Sequence, residues 1–119
     1  MIQPLKLEFN TTRGQNSYTI NTPTVGQFYD IEVTKQVLGK GFYASIVSTS
    51  TNGAQNAADM IDIEAHLAVL CPDMMKDLKC ESFKDLGLVD YNEIKRVYIK
   101  SFLPWWKEIQ DILKENDDE

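Results

Sequence analysis

The only histidine of this chain, His66, follows Asp62 by four residues and Asp59 by seven. On a helix such residues share a face, so Asp59, Asp62 and His66 could together hold a divalent cation. A solvated helix face with an ordinary i, i+4 charge pair has the same pattern. The solvated reading is preferred, because the segment supplies no further ligand. A Cys–His nucleophile would need Cys71 or Cys80 to fold back on His66. Cys71 stands beside Pro72 at the end of an apolar stretch, where a small buried residue is expected. Two cysteines and one histidine at these spacings lack the fourth ligand of a structural zinc site. A serine triad would draw on the same histidine, and the acidic residues are spread along polar faces without a marked acid–base pair. Gly39-Lys40-Gly41 lacks the spacing of a phosphate loop and its following Ser or Thr. No catalytic residue, metal or cofactor is therefore assigned, and the expectation is a protein that is not an enzyme.

Composition narrows the partners. The chain has 119 residues, enough for one domain, which is expected over residues 1–115. With 43% hydrophobic and 10% aromatic residues it can bury a core, and 25% charged residues is ordinary for a globular protein. The net charge is −6 and the longest basic cluster is Lys95-Arg96. Nucleic acid and anionic membrane surfaces both need clustered Lys and Arg, so neither is an expected partner. No stretch approaches about 18 consecutive apolar residues, so no membrane-spanning helix is expected. Met1 leads into Ile2-Gln3-Pro4 without a secretory pattern. A cytoplasmic protein with reduced cysteines is the default expectation.

The elements that would position these side chains begin with a hairpin over residues 4–21. Leu5, Leu7 and Phe9 alternate with Lys6 and Glu8, and Tyr18 and Ile20 with Thr19 and Asn21, the period of a half-buried strand. Residues 11–17 read as a polar loop between the strands. A two-stranded hairpin is not stable alone, so it must pack on helices.

Helices are expected from residue 24 onward. Thr22-Pro23-Thr24 offers a cap for a segment reaching Leu38. Val25, Phe28, Ile31 and Leu38 lie broadly on one side of it, and Tyr29, Val33 and Val37 form a second row. An apolar arc this wide suggests contact on two sides. Phe42–Val47 reads as a short helix or a strand, and 48–53 as a polar loop. A longer helix over 54–70 carries one stripe of Ala54, Ala58, Ile61, Ala65 and Ala68. Its second stripe is Met60, Ile63, Leu67 and Leu70, a spacing that suits a bundle seam. Residues 74–78 read as a turn. Asp90 to Glu93 reads as a capping box with Asp90 at the cap, and residues 116–119 as a disordered acidic tail. The fold class expected is α+β, mainly helical: a hairpin packed on a bundle of about four helices.

The C-terminal stripe runs through Tyr91, Ile94, Tyr98, Phe102, Trp105, Ile109, Ile112 and Leu113, and the periodicity of Tyr98, Phe102, Trp105 and Ile109 assigns these to the core. Pro104 interrupts it, either as a kink or as the first residue of a new helix. Trp106 lies about 100° round an α-helix from Trp105, so at least one tryptophan is expected at the core edge or on the surface. Surface tryptophans are frequent binding hot spots. A wide core that takes in both is the alternative. The expected partner-binding residues are Trp106, Trp105 and Phe102 here, with Tyr29, Val33 and Val37 on the first helix.

The layout resembles that of the small tail assembly chaperones of tailed bacteriophages. The resemblance rests on Pro4–Asn21 as a strand-turn-strand start, Thr22-Pro23-Thr24-Val25-Gly26-Gln27, Ser82-Phe83-Lys84-Asp85-Leu86 and the ending Phe102-Leu103-Pro104-Trp105-Trp106. It implies a protein that coats hydrophobic stretches of the tape measure protein, keeps it soluble during tail assembly, and is absent from the mature particle. It also implies a protein client as partner, with self-association through apolar helix faces a further expectation. Members of that group are often mostly helical, so the firm hairpin also suits another phage assembly protein, a structural virion component or a small adaptor.

Overall fold

The computed structural model describes the backbone of residues 2–117 and the side chains of residues 2–114. It has a two-stranded antiparallel N-terminal hairpin followed by helices, an α+β arrangement that is mainly helical. The strands are β1 (Leu5–Thr11) and β2 (Gly14–Ile20). The helices are α1 (Val25–Leu38), α2 (Tyr43–Ser48), α3 (Asn52–Leu70), α4 (Pro72–Asp77), α5 (Leu88–Val97) and α6 (Leu103–Asp117). The four longer helices match the number expected. Contacts gather the chain into two compact units, one made of Met1–Thr22 with Leu86–Glu119 and the other of Pro23–Asp85.

In the first unit, β1 and β2 pair in register from Leu5 opposite Ile20 to Thr11 opposite Gly14. The expected polar loop over 11–17 is thus mostly strand, and only Thr12 and Arg13 turn the chain. Gly14 has φ +139°, a conformation that side chains disfavour and that lets the reversal be this tight. Leu7, Phe9 and Ile20 are buried, as the alternation requires. The hairpin packs on α5.

Two carboxylates of α5 fix that packing. Asp90 accepts hydrogen bonds from the Thr12 backbone N–H at 2.8 Å and the Thr12 hydroxyl at 2.6 Å. Glu93 accepts from the Asn10 N–H at 3.1 Å, and it also receives Arg96 at 2.9 Å. This corrects the capping box. The helix starts three residues earlier, at Leu88 after Gly87, and Asp90 is buried within its first turn, closing the hairpin rather than its own helix.

Between α5 and α6, Tyr98–Phe102 forms a π-helical turn in which the Leu103 N–H bonds the Tyr98 carbonyl. Pro104 accounts for it. Proline has no N–H for the carbonyl four residues back, and its ring collides with that carbonyl. The wider turn removes both conflicts, so the helical run neither stops nor restarts at Pro104. The wider turn also makes the following residues lag behind ideal α phase. Trp106, four residues after Phe102 and three before Ile109, joins their buried face. Trp105 and Trp106 are 7% and 6% exposed, which corrects the expected surface tryptophan in favour of the wide core. Phe102 is fully buried, stacked on Tyr98 (4.9 Å between ring centroids) and on Trp106 (5.5 Å). The Trp105 indole N–H donates to the Gln3 carbonyl at 2.8 Å, giving its polar atom a partner as a buried ring requires. α6 extends through Asp117, so the first two residues of the expected disordered tail are helical. Asp118 and Glu119 lie outside the described residues.

In the second unit, Thr24 caps α1 in a reciprocal box with Gln27, and Thr51 caps α3. α1 and α2 pack on α3, and α4 follows it. Phe42–Val47 resolves as mostly helix, residues 48–53 shrink to a link of Thr49–Thr51, and the turn at 74–78 is the helix α4 with Pro72 in its first turn. Ile31, Ile63, Leu67, Met74 and Leu78 are buried almost completely.

Replacing Asp90 with alanine leaves the Thr12 N–H and hydroxyl without their charged acceptor, and should cost about 2 kcal/mol of stability in denaturant titration. These bonds also hold the Asp90 carboxyl below the usual carboxylate range, first through the Thr12 hydroxyl and then its N–H. A carboxyl depressed in the folded state stabilises above its unfolded value of about 3.9 and stops doing so as pH falls through the folded one. The Asp90→Ala penalty should therefore be full at neutral pH and shrink in acid.

Candidate partner-binding face

The six residues expected to bind a partner separate into two groups. Phe102, Trp105 and Trp106 lie buried in the first unit. Tyr29, Val33 and Val37 stand on the outward side of α1 in the second unit, at 71%, 45% and 68% exposure. Val25, 88% exposed, extends the row at the same four-residue spacing. This corrects its expected place beside Ile31, and the spacing 25-29-33-37 was the available signal. Ile31 alone of α1 is fully buried. The second contact expected for this helix is thus unfilled among the described residues.

Four apolar side chains in a line on a solvent face are unusual, since single exposed apolar residues are the norm. Three of them are valines, whose β-branch costs rotamer freedom in a helix. Neither local helix stability nor folding of this unit explains the row.

Beneath it lies a polar layer that the sequence misplaced. The Tyr43 hydroxyl donates to Asp62 at 2.5 Å. Lys35 pairs with Glu32 at 2.8 Å, lies 4.0 Å from Asp62, and sits over the Tyr43 ring at 5.7 Å. Burial, followed by the Asp62 hydrogen bond and charge, raises the Tyr43 hydroxyl pKa. Burial also raises that of Asp62 against the opposing effects of Tyr43 and Lys35.

His66 is not on a solvated face but 5% exposed, and its Nδ1–H donates to the Asp62 backbone carbonyl at 2.6 Å. The expected side-chain charge pair is replaced by a backbone bond. Burial pushes the His66 pKa down to about 4, so the ring is neutral near pH 7. Glu64 is also buried and accepts from the Ser82 hydroxyl at 2.9 Å and the Phe83 N–H at 3.0 Å. Its carboxyl is raised by burial against those bonds. Cys71 and Cys80 are free thiols, and burial pushes the Cys71 pKa up to about 11. No three His, Cys, Asp or Glu residues are grouped to hold a metal ion among the described residues.

No family model matches this chain, and neither curated proteins nor solved structures return a match. No helix among the described residues is long and apolar enough to cross a membrane. Other exposed apolar side chains, Phe42, Val47, Leu88 and Val89 among them, stand in ones and twos rather than in a four-residue row. Ile99 and Leu103 are exposed one turn apart, too small a patch to seat a partner alone. A groove of about 250 Å³ lined by Lys6, Glu8, Arg96 and Lys100 mixes both charges, and its Arg96 is engaged by Glu93.

A row that serves binding rather than folding should be dispensable for stability. Val33→Ala should leave stability unchanged or raise it by up to about 0.5 kcal/mol through helix propensity, whereas Ile31→Ala should cost about 2–5 kcal/mol. Thermal or denaturant unfolding checks both.

His66 has its own signature. With its pKa depressed in the folded state, protons bind the unfolded chain first, so its contribution to stability falls between about pH 6.5 and 4. Asp62 and Glu64, both raised by burial, act in the opposite sense, and the charges of Lys35 and Glu32 act on His66 itself. All four are common to a His66→Gln variant. Relative to the wild type, that variant should gain about 3 kcal/mol on going from neutral pH to pH 4.

Proposed function

We propose that this chain is a non-enzymatic protein-binding factor that takes a helical client on the outward face of α1. One observation carries the reading: Val25, Tyr29, Val33 and Val37 form an exposed apolar row at helical spacing, the anchor pattern of helix-to-helix recognition. The state of the chemically active side chains supports it. His66 is buried with its Nδ1–H committed to a backbone carbonyl, and the Cys71 thiol is buried and hard to ionise, which suits structural rather than catalytic roles.

In its specific form, the proposal is a bacteriophage tail assembly chaperone that keeps the tape measure protein soluble in the host cytoplasm. That form draws on the resemblance in layout: the hairpin start, the Thr-Pro-Thr entry to α1 and the aromatic ending.

Co-expression with the tape measure protein of the same genome should move that protein into the soluble fraction and co-purify it. Tyr29→Asp with Val33→Asp should abolish both effects while the variant remains folded. Absence of rescue and of co-purification with the wild type would overturn the chaperone. Mass spectrometry finding the chain in stoichiometric amount in purified particles would replace it with a structural virion component.

A further inference from the structure

The edges of the α1 row carry information about the occupant. Successive helical residues are about 100° apart, so Asp30 runs along one edge of the row and Glu32 along the other, both exposed. Between them stand only apolar or uncharged residues, Gly26 and Gln36 among them. On the Glu32 side the acidity deepens, because Asp62, Glu32 and Asp59 all act electrostatically on the Tyr43 hydroxyl. Lys35 is the one cation among these groups, bridging Glu32 and Asp62. The whole Pro23–Asp85 unit carries nine acidic and five basic side chains.

We infer that the α1 face docks an amphipathic helix whose apolar stripe is bordered on both sides by lysine or arginine. The inference rests on α1 being the client-binding face and adds the chemistry of the client. An apolar row supplies contact without choosing among partners, whereas rim charges choose and steer. A second copy of this chain does not fit. Packed antiparallel, it sets Asp30 against Asp30 and Glu32 against Glu32; packed parallel, it sets Asp30 against Glu32. Each arrangement juxtaposes like charges, which cost affinity.

Fluorescence anisotropy with the full chain and four synthetic helical peptides tests this. Three share one leucine stripe and differ in edges of Lys, Gln or Glu; the fourth has Lys edges and a scrambled stripe. The Lys-edged peptide should bind at least about tenfold more tightly than the Gln-edged one and lose that advantage in high salt. The Glu-edged and scrambled peptides should bind weakest. Asp30→Lys with Glu32→Gln should remove the preference for Lys edges, and Tyr29→Ser with Val33→Ser should weaken every amphipathic peptide.

Equal affinity for all three edges, still lost in Tyr29→Ser with Val33→Ser, would overturn the charge rule and leave α1 as a client face. Binding unaffected by those two substitutions would remove the face itself. Scrambled peptide binding as well as the Lys-edged one would reduce the effect to bulk charge attraction and overturn the inference. A dimer seen by analytical ultracentrifugation and dissolved by Tyr29→Ser would overturn it in favour of self-association.

Discussion

A buried carboxylate that reaches across the sequence organises each compact unit. A two-stranded hairpin cannot hold itself together in water, and β1–β2 is tied down where its turn meets α5. There Asp90 accepts both the Thr12 hydroxyl and the Thr12 N–H. That seat sets which face of the hairpin meets α5. It thereby places Leu7, Phe9 and Ile20 on the buried side, since a one-residue slip would turn them outward. Glu64 does the equivalent work in the other unit, where it receives Ser82 and Phe83 and anchors the segment leading out of α4. Units this small bury proportionately less apolar surface, so a few satisfied polar clasps weigh heavily in them. Asp90 accepts through both of its oxygens and Glu64 twice through one, and such bonds are the condition for burying a carboxylate.

Local pattern was enough to read the hairpin, the Thr24 cap and the four longer helices. Leu5 to Phe9 alternate, Thr24 stands where a cap belongs, and the periodicity of α3 and α5 spans several turns. What escaped were consequences of tertiary placement. Asp90 and Glu93 have the spacing of a capping box, and nothing in that spacing tells that Asp90 serves Thr12, 78 residues away. His66 and Glu64 are polar residues on an amphipathic helix, and their burial depends on α3 being covered on more sides than its two stripes imply. Trp106 was misplaced because its angle was counted from Trp105 alone, although it also stands four residues after Phe102, on whose ring it stacks. Pro104 was visible, but the local pattern offered a kink or a restart and not a π turn. Of the candidate site, the part built on i, i+4 spacing in α1 was legible, apart from Val25. The part built on counting degrees from Trp105 was not.

These errors share a direction. Aromatic mass near the C-terminus suggested a binding surface, and the structure uses all of it to close a core: Phe102 sits between Tyr98 and Trp106, and Trp105 spends its N–H on Gln3. The longest exposed apolar row is plainer, three valines and a tyrosine on α1. Large rings are the natural solution for a small core that must be filled by few side chains. A row of valines facing water solves no folding problem.

Helix α1 has one wall to satisfy, and Ile31 against α3 satisfies it. Selection for stability alone would favour alanine, lysine or glutamate at positions 25, 29, 33 and 37, because each propagates a helix better than valine or tyrosine and leaves less apolar area in water. Proteins retain locally unfavourable choices where function needs them. Here the unfavourable choices fall on one line, avoid charge along it, and meet carboxylates at both edges. Solubility alone would not arrange them so, since it would place charge within the row. That arrangement, an apolar centre with acidic margins, is what the proposed client-binding face requires.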